Sequence, residues 1–301
     1  MPLVNFKELM EDAEKRNYAV GYFESWNLES LLAIADAAEV KRSPVIIGIS
    51  GIDFPNFEKV LKNILNVYSC LLRKIGNKMS VPVCTIFNEC PYYDLVIKAI
   101  DAEFGVVMYT NEKVPIEELI CKVKEIAKKA HEKNISIEGE IEAPLGLDFE
   151  VTDIPESYKL RYTDVEKAIR FIEKTGIDSL SINIGQAHIK GDIKTHLNLA
   201  LLKKLKEDIS IPLVLHGASS IHSEDIAKAI KMGIRKINVG RELKQSFFWA
   251  IRNSCIDTKS DFNPYKVIGS GTDKDILNIG RITLQKTVEN LMTLFGSAYK
   301  A

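Results

Sequence analysis

Short runs rich in β-branched and aromatic residues alternate, from one end of the chain to the other, with longer stretches in which apolar positions recur every three or four residues. Eight runs of the first kind can be counted, at 19–23, 45–49, 81–87, 106–108, 135–140, 179–184, 211–215 and 236–239. Most are almost continuously apolar, as parallel strands covered on both faces must be. The stretches between them, such as LESLLAIADAAEV, IEELICKVKEIAKKAHEK, DVEKAIRFIEKTG and LALLKKLKEDI, gather apolar residues on one face and charges on the other. Gly176 and Gly233 stand where two of these helical patterns stop, just before a strand. A further helix is predicted over 277–294.

Regular alternation of strand and helix implies βα units around a parallel sheet. Eight such units in 301 residues predict a closed (β/α)8 barrel, the TIM-barrel architecture, as a single domain over 1–301 with an extra C-terminal helix. An open doubly wound sheet shares the same periodicity, but GYFESWN at 21–27 lacks the glycine-rich turn of a dinucleotide fold. No linker is visible. The 143–161 segment is the one long loop, and loops of that length are usually functional or mobile.

Composition then removes several function classes. Forty basic against forty-one acidic residues leave a formal charge of -1, so nothing favours a nucleic-acid or membrane partner, and a small-molecule ligand is expected. The opening MPLVNFKELMEDAEK has no apolar signal core, and no apolar run reaches membrane-spanning length, which predicts a cytoplasmic protein. Cys70, Cys84, Cys90, Cys121 and Cys255 are odd in number and never spaced CxxC, consistent with reduced thiols.

In such a barrel, chemistry collects at the C-terminal ends of the strands. The polar residues there are Glu24 and Asn27, then Asn88 and Glu89 with Cys90, then Glu140 and Glu142. Gln186 and His188, His216 with Gly217 and Ser219, and Asn238 with Arg241 complete the rim. Of five histidines, His188 and His216 fall at this rim, while His131 and His222 lie in helical patterns and His196 in a loop. Two imidazoles and one carboxylate, Glu89, make a catalytic metal set with an open position. On the residues alone, two hydrogen-bonding histidines are an equal reading. Cys90 is a possible fourth donor, weighed against its reading as a small buried hydrophobe.

With these residues placed, YAVGYF followed by NLES, RSPVII, AIDAEFGVVM, YTDVEKAIRFIEKTGIDSLSINIG, IPLVLHGASSI and the ending LFGSAYKA together resemble the class II fructose-bisphosphate and tagatose-bisphosphate aldolases. The resemblance runs over essentially the whole chain. It implies a metal-dependent lyase that cleaves a ketose phosphate or related sugar by a retro-aldol step through a metal-stabilised enediolate. It also implies Zn2+ or another divalent ion on His188 and His216, with Glu89 standing where the family's strand-three histidine is expected and Glu140 matching a strand-five metal position. Asn88 occupies the place of the family's catalytic Asp, and an amide cannot donate a proton and be regenerated. Cleavage of fructose 1,6-bisphosphate by the usual route is therefore expected to be weak.

Further departures gather around the substrate. Glu24 replaces an Asn, Thr110 an Asp and Ile189 a Gly, and only Asn238 survives from the family's Asn-x-Asp-Thr-Asp phosphate motif. Backbone donors at Gly217 and Ser219, the fork of Arg241, and Glu24, Asn27 and Asn238 are the expected substrate contacts. The 143–161 loop is expected to act as a lid carrying the proton-transfer carboxylate, Asp148 or Glu150. Kinship implies a homodimer or homotetramer. Two other readings stand beside the lyase: a sugar-phosphate epimerase using the same enediolate chemistry, and a non-catalytic sugar-phosphate-binding partner subunit.

Overall fold

The computed structural model describes residues 2–51, 57–142, 145–146, 161–188, 194–256 and 261–301. Eight parallel strands form a closed barrel: β1 (Val20–Glu24), β2 (Val45–Ser50), β3 (Val83–Cys90), β4 (Val106–Tyr109), β5 (Ser136–Glu140), β6 (Ser179–Ile182), β7 (Leu213–Leu215) and β8 (Ile234–Val239). They pair in the order β1-β8-β7-β6-β5-β4-β3-β2, and closure comes from β1 pairing with both β2 and β8. The eight predicted runs are these eight strands. Around them lie α2 (Leu28–Lys41), α3 (Phe57–Gly76), α4 (Tyr93–Asp101), α5 (Ile116–His131), α6 (Val165–Thr175), α7 (Leu199–Asp208), α8 (Ser223–Lys231) and α9 (Arg241–Ile256).

Three further helices frame the barrel: α1 (Phe6–Arg16), a short α10 (Pro264–Val267) and the predicted C-terminal helix, α11 (Ile276–Leu294). Between strands and helices lies one continuous core that includes Phe23, Ile47, Phe87, Val107, Ile137, Leu180, Leu215 and Ile237. Side chains alternate along a strand, so the residues between these point into the barrel. At the lower end, Val20, Tyr22, Ile46, Cys84, Ile86 and Val106 cluster with Phe6, Leu9, Met10 and Ala13 of α1. The first helix thus plugs the barrel floor with its apolar face. The upper interior is polar instead, with Glu24, Asn88, Glu138, Glu140, His216, Lys236 and Asn238 all buried.

Candidate active site

Each polar residue of the upper interior is delivered by a strand end. On β3 the pairing with β4 slips: Phe87 faces Val107 but Cys90 faces Tyr109, so three steps on one strand match two on the other. Such a bulge re-aims a side chain. Glu89 sits in it with φ 47, the left-handed region that a non-glycine residue enters at a cost of roughly 1–2 kcal/mol. The result is that Glu89, which simple alternation would turn toward the helices, places Oε1 2.8 Å from Nδ1 of His216 on the far side of the barrel. Cys90 joins the helix-facing core instead of the site, which removes it as a metal donor.

His216 is 2% exposed and faces carboxylates on both sides. Its Nε2 lies 3.8 Å from Oε1 of Glu138 and 3.8 Å from Oε1 of Glu140. Burial works against a charged ring, but Glu89 and Glu140, with hydrogen bonds to Glu138 and Glu89, outweigh it and raise His216 to about 10. Glu140 accepts from Thr110 Oγ1 at 3.1 Å and from Ser181 Oγ at 3.4 Å. Burial lifts its carboxyl to about 7, against the pull of His216. A buried carboxyl poised there can exchange a proton near neutral pH or give it up to a cation.

Asn88 is 0% exposed, and neither its Oδ1 nor its Nδ2 has a hydrogen-bond partner among the described residues. Buried amides are almost always paired, so an orphan of this kind marks a place for a ligand oxygen or a water. Its carbonyl is used, accepting from Gly51 at 2.6 Å. The missing partners therefore belong to the side chain alone.

Below this tier Asn238 and His216 join Lys236 and Glu138, two residues that sequence reasoning did not single out. Lys236 Nζ donates to Glu138 Oε2 at 2.6 Å and to Asn238 Oδ1 at 2.5 Å. Asn238 Nδ2 donates to Glu138 Oε1 at 3.0 Å and stands 3.0 Å from His216 Nε2. Burial pushes Glu138 up, but the Lys236 cation, aided by His216, reverses that and holds it at about 2. Burial alone pulls Lys236 down. We take the pair as ionised, because the short Nζ···Oε2 contact compensates both charges at once. The clue in the sequence was parity: Lys236 and Asn238 share a face of RKINV, and Glu138 and Glu140 share a face of SIEGE.

A depressed carboxylate contributes stability that is complete above its unfolded value and is lost as pH falls through the folded one. Glu138 spans 4.5 to about 2, so on the order of 3 kcal/mol hangs on that window. Urea titrations from pH 6 to pH 3 are expected to show a steep loss in the wild type. In Glu138→Gln/Lys236→Met the same curve is expected to be distinctly flatter; equal slopes would place the acid lability elsewhere.

The other predicted contacts are spread around the rim. Glu24 pairs with Lys244 of α9 at 2.6 Å, and burial raises its carboxyl despite that cation. Asn27 caps α2 by accepting from Ser30 N at 2.9 Å, with Ser30 returning the bond, so its amide oxygen is committed to the helix. Gly217 takes φ 69, opening a 3-10 turn over Ala218–Ser220 that carries Ser219. Arg241 is the first residue of α9, a helix end whose dipole disfavours a cation and favours an anion beside it. His188 is placed by a two-residue pairing of 187–188 with 145–146, register Gly146 to His188, but its side chain lies outside the described residues. Asp148, Glu150 and the rest of 147–160 also lie outside them, as does Ile189.

Gly240 follows from Glu24. A Cβ at residue 240 would overlap Oε2 of Glu24, whose carboxylate Lys244 holds through Oε1. Gly240→Ala is expected to cost about 1–3 kcal/mol by overpacking, measured as a lower urea midpoint at unchanged slope. Adding Glu24→Ala should restore most of the loss; no recovery in the double variant would mean that the strain lies in the backbone.

The model of fructose-bisphosphate aldolase class-II matches residues 4–300. The chain belongs to the class II fructose-bisphosphate aldolase family. Among relatives of this aldolase family, a fructose-bisphosphate aldolase of Geobacillus stearothermophilus is 32% identical over 303 aligned residues, covering 100% of this chain and 99% of its own. A 6-phospho-5-dehydro-2-deoxy-D-gluconate aldolase of Shouchella clausii is also 32% identical, with 100% and 97% covered. The crystal structure of the YdjI aldolase from Escherichia coli K12 superposes with a TM-score of 0.79 at 28% identity, covering 99% of each chain. Metal-dependent aldol chemistry is thereby the function class of the chain. Among the described residues no helix is long and apolar enough to cross a membrane.

Proposed function

We propose that this protein is a divalent-metal aldolase whose ion, zinc in the first instance, is held by Glu89, His216 and His188 with Glu140 in support. The observation that carries the reading is the convergence of Glu89, His216 and Glu140 at the barrel mouth, beside an orphaned amide on Asn88. Imidazole nitrogen and carboxylate oxygen are the donors zinc takes in catalytic sites. Among the described residues no three such side chains already form a ligand cage, so the fit rests on the donor chemistry of Glu89, His216 and Glu140. When bound, such an ion supplies a Lewis acid that polarises a substrate carbonyl.

This chain's own residues do the rest. Asn88 gives the substrate a hydrogen-bond donor and acceptor inside the barrel. Glu140, raised to about 7, can move a proton near neutral pH when it is not ligating. Asp148 or Glu150, on the 143–161 lid, is the remaining candidate for proton transfer at carbon. Arg241 and the Gly217–Ser219 turn hold an anionic end, a phosphate or carboxylate, and Glu24 receives a hydroxyl. The substrate class is a ketose phosphate or related sugar acid, the working assembly a homodimer or homotetramer, and the compartment the cytoplasm.

The test pairs elemental analysis of zinc-supplemented protein with a screen of ketose phosphates and sugar acids for aldehyde release. About one equivalent of metal and release from at least one substrate are expected. Metal-replete protein that neither cleaves nor exchanges any substrate proton across the panel would leave a binding subunit as the reading.

A further inference from the structure

The groups suited to an anion and the acidic groups fall on opposite sides of the barrel mouth. In the strand order β7 stands across from β3, and β8 across from β4. The β7–β8 side carries the Gly217–Ser219 turn and Arg241 at the start of α9. The β3–β5 side carries Asn88, Glu89, Thr110 and Glu140, with Glu142 just beyond the end of β5. Glu89 and Glu140 flank the metal position, and a divalent ion offsets their two charges and no more. Thr110 Oγ1 already donates to Glu140 at 3.1 Å. Arg161 and Lys167, the cations beside Glu142, lie among three acids, Glu112, Glu142 and Asp164. A second anion on this side would find no charge left to meet it.

The amide of Asn88 decides what this side accepts instead. It is fully buried, and both Oδ1 and Nδ2 lack a partner among the described residues, so it presents an acceptor and a donor side by side. A hydroxyl is donor and acceptor at once and answers both. A phosphate has strong acceptor oxygens and close to two negative charges near neutral pH. It would satisfy Nδ2 alone and set its oxygens against Oδ1. Glu142 Oε2, also without a partner among the described residues, is a second acceptor that a hydroxyl can satisfy and a phosphate cannot. We propose that the substrate carries a single anionic group, held on the β7–β8 side, and that its other end is an uncharged polyol with a hydroxyl bound by Asn88. Such a substrate is a ketose monophosphate, not a bisphosphate. The inference rests on the sugar-phosphate reading given above and narrows its substrate class.

The test measures binding of three probes to the full-length, metal-replete protein by calorimetry: inorganic phosphate, mannitol 1-phosphate and mannitol 1,6-bisphosphate. The two hexitols are open chains with no carbonyl to cleave, and they differ by the second phosphate alone. The ends of mannitol are equivalent, so one monophosphate serves for either end. In the wild type the monophosphate is expected to bind roughly tenfold or more tightly than the bisphosphate, as an unmatched charge at an interface is penalised. Asn88→Ala is expected to weaken the monophosphate about tenfold and leave inorganic phosphate unchanged, because the lost hydrogen bonds belong to the hydroxyl end. Arg241→Ala is expected to weaken both. The wild-type comparison needs no variant, so the inference can fail even if a substitution disturbs folding. A bisphosphate that binds the wild type as tightly as the monophosphate, or a folded Asn88→Ala variant that holds the monophosphate undiminished, overturns the inference while the sugar-phosphate reading stands. Failure of all three probes to bind overturns that reading, and this inference with it.

Discussion

Glu89→Gln is expected to lower the metal content of the purified protein at least tenfold and kcat/KM by about three orders of magnitude. A metal acting as Lewis acid supplies several kcal/mol of transition-state stabilisation, and each 1.36 kcal/mol is tenfold in rate. The amide keeps the volume and one oxygen but removes the charge that faces His216 at 2.8 Å. The position is also strained, with φ 47 on a residue that has a Cβ. Strain of that kind persists where function holds it. Glu89→Gly relieves that strain but strips the buried His216 of its carboxylate partner, so it is expected to lose the metal with no gain in stability. Metal analysis, steady-state rates and urea unfolding on the three proteins check the set. A Gln variant with full metal and full rate would move the ligand elsewhere and leave Glu89 only orienting His216.

The barrel was legible because its strands are buried on both faces and the helices that pack around them on one, and period alone reports that. Closure was inferred from the count of units, and the pairing of β1 with β8 bears it out. What period cannot report is an interruption of itself. The slip after Phe87 turns Glu89 inward, and only the pairing with β4 reveals it. The floor-plugging role of α1 was equally hidden, since an amphipathic stretch does not say which surface it covers. Asn27 was read as a substrate contact from its place at the rim, yet the same place starts a helix, and its oxygen caps that helix. Lys236 and Glu138 were passed over because charges inside strands are rare; their shared parity with Asn238 and Glu140 was the available sign.

Asn88→Asp is expected to raise cleavage of fructose 1,6-bisphosphate by on the order of 10²- to 10⁴-fold, from a poor wild-type rate, because that range is what a positioned general acid contributes. The site is prepared for it. Asn88 is fully buried, with both side-chain polar atoms unpaired among the described residues, so an isosteric carboxyl breaks no existing bond. It would stand in an upper tier already holding Glu24, Glu89 and Glu140, and like charges together with burial push a new carboxyl upward, toward the range where it can both give and retake a proton. Folding stability is expected to drop as pH rises above the ordinary carboxylate range, the opposite sign to Glu138, since here the charged form is the one the fold disfavours. Exchange of a carbon-bound substrate proton with deuterated water separates the roles. It depends on carbonyl polarisation and on the carboxylate that moves the proton at carbon, not on residue 88, so the wild type should exchange faster than it cleaves and the variant should narrow that gap. Both rates are measured on one metal-replete sample of each protein. Efficient cleavage by the wild type, or an unchanged ratio of exchange to cleavage in the variant, would show that the acid comes from another residue, with Glu140 the first to replace.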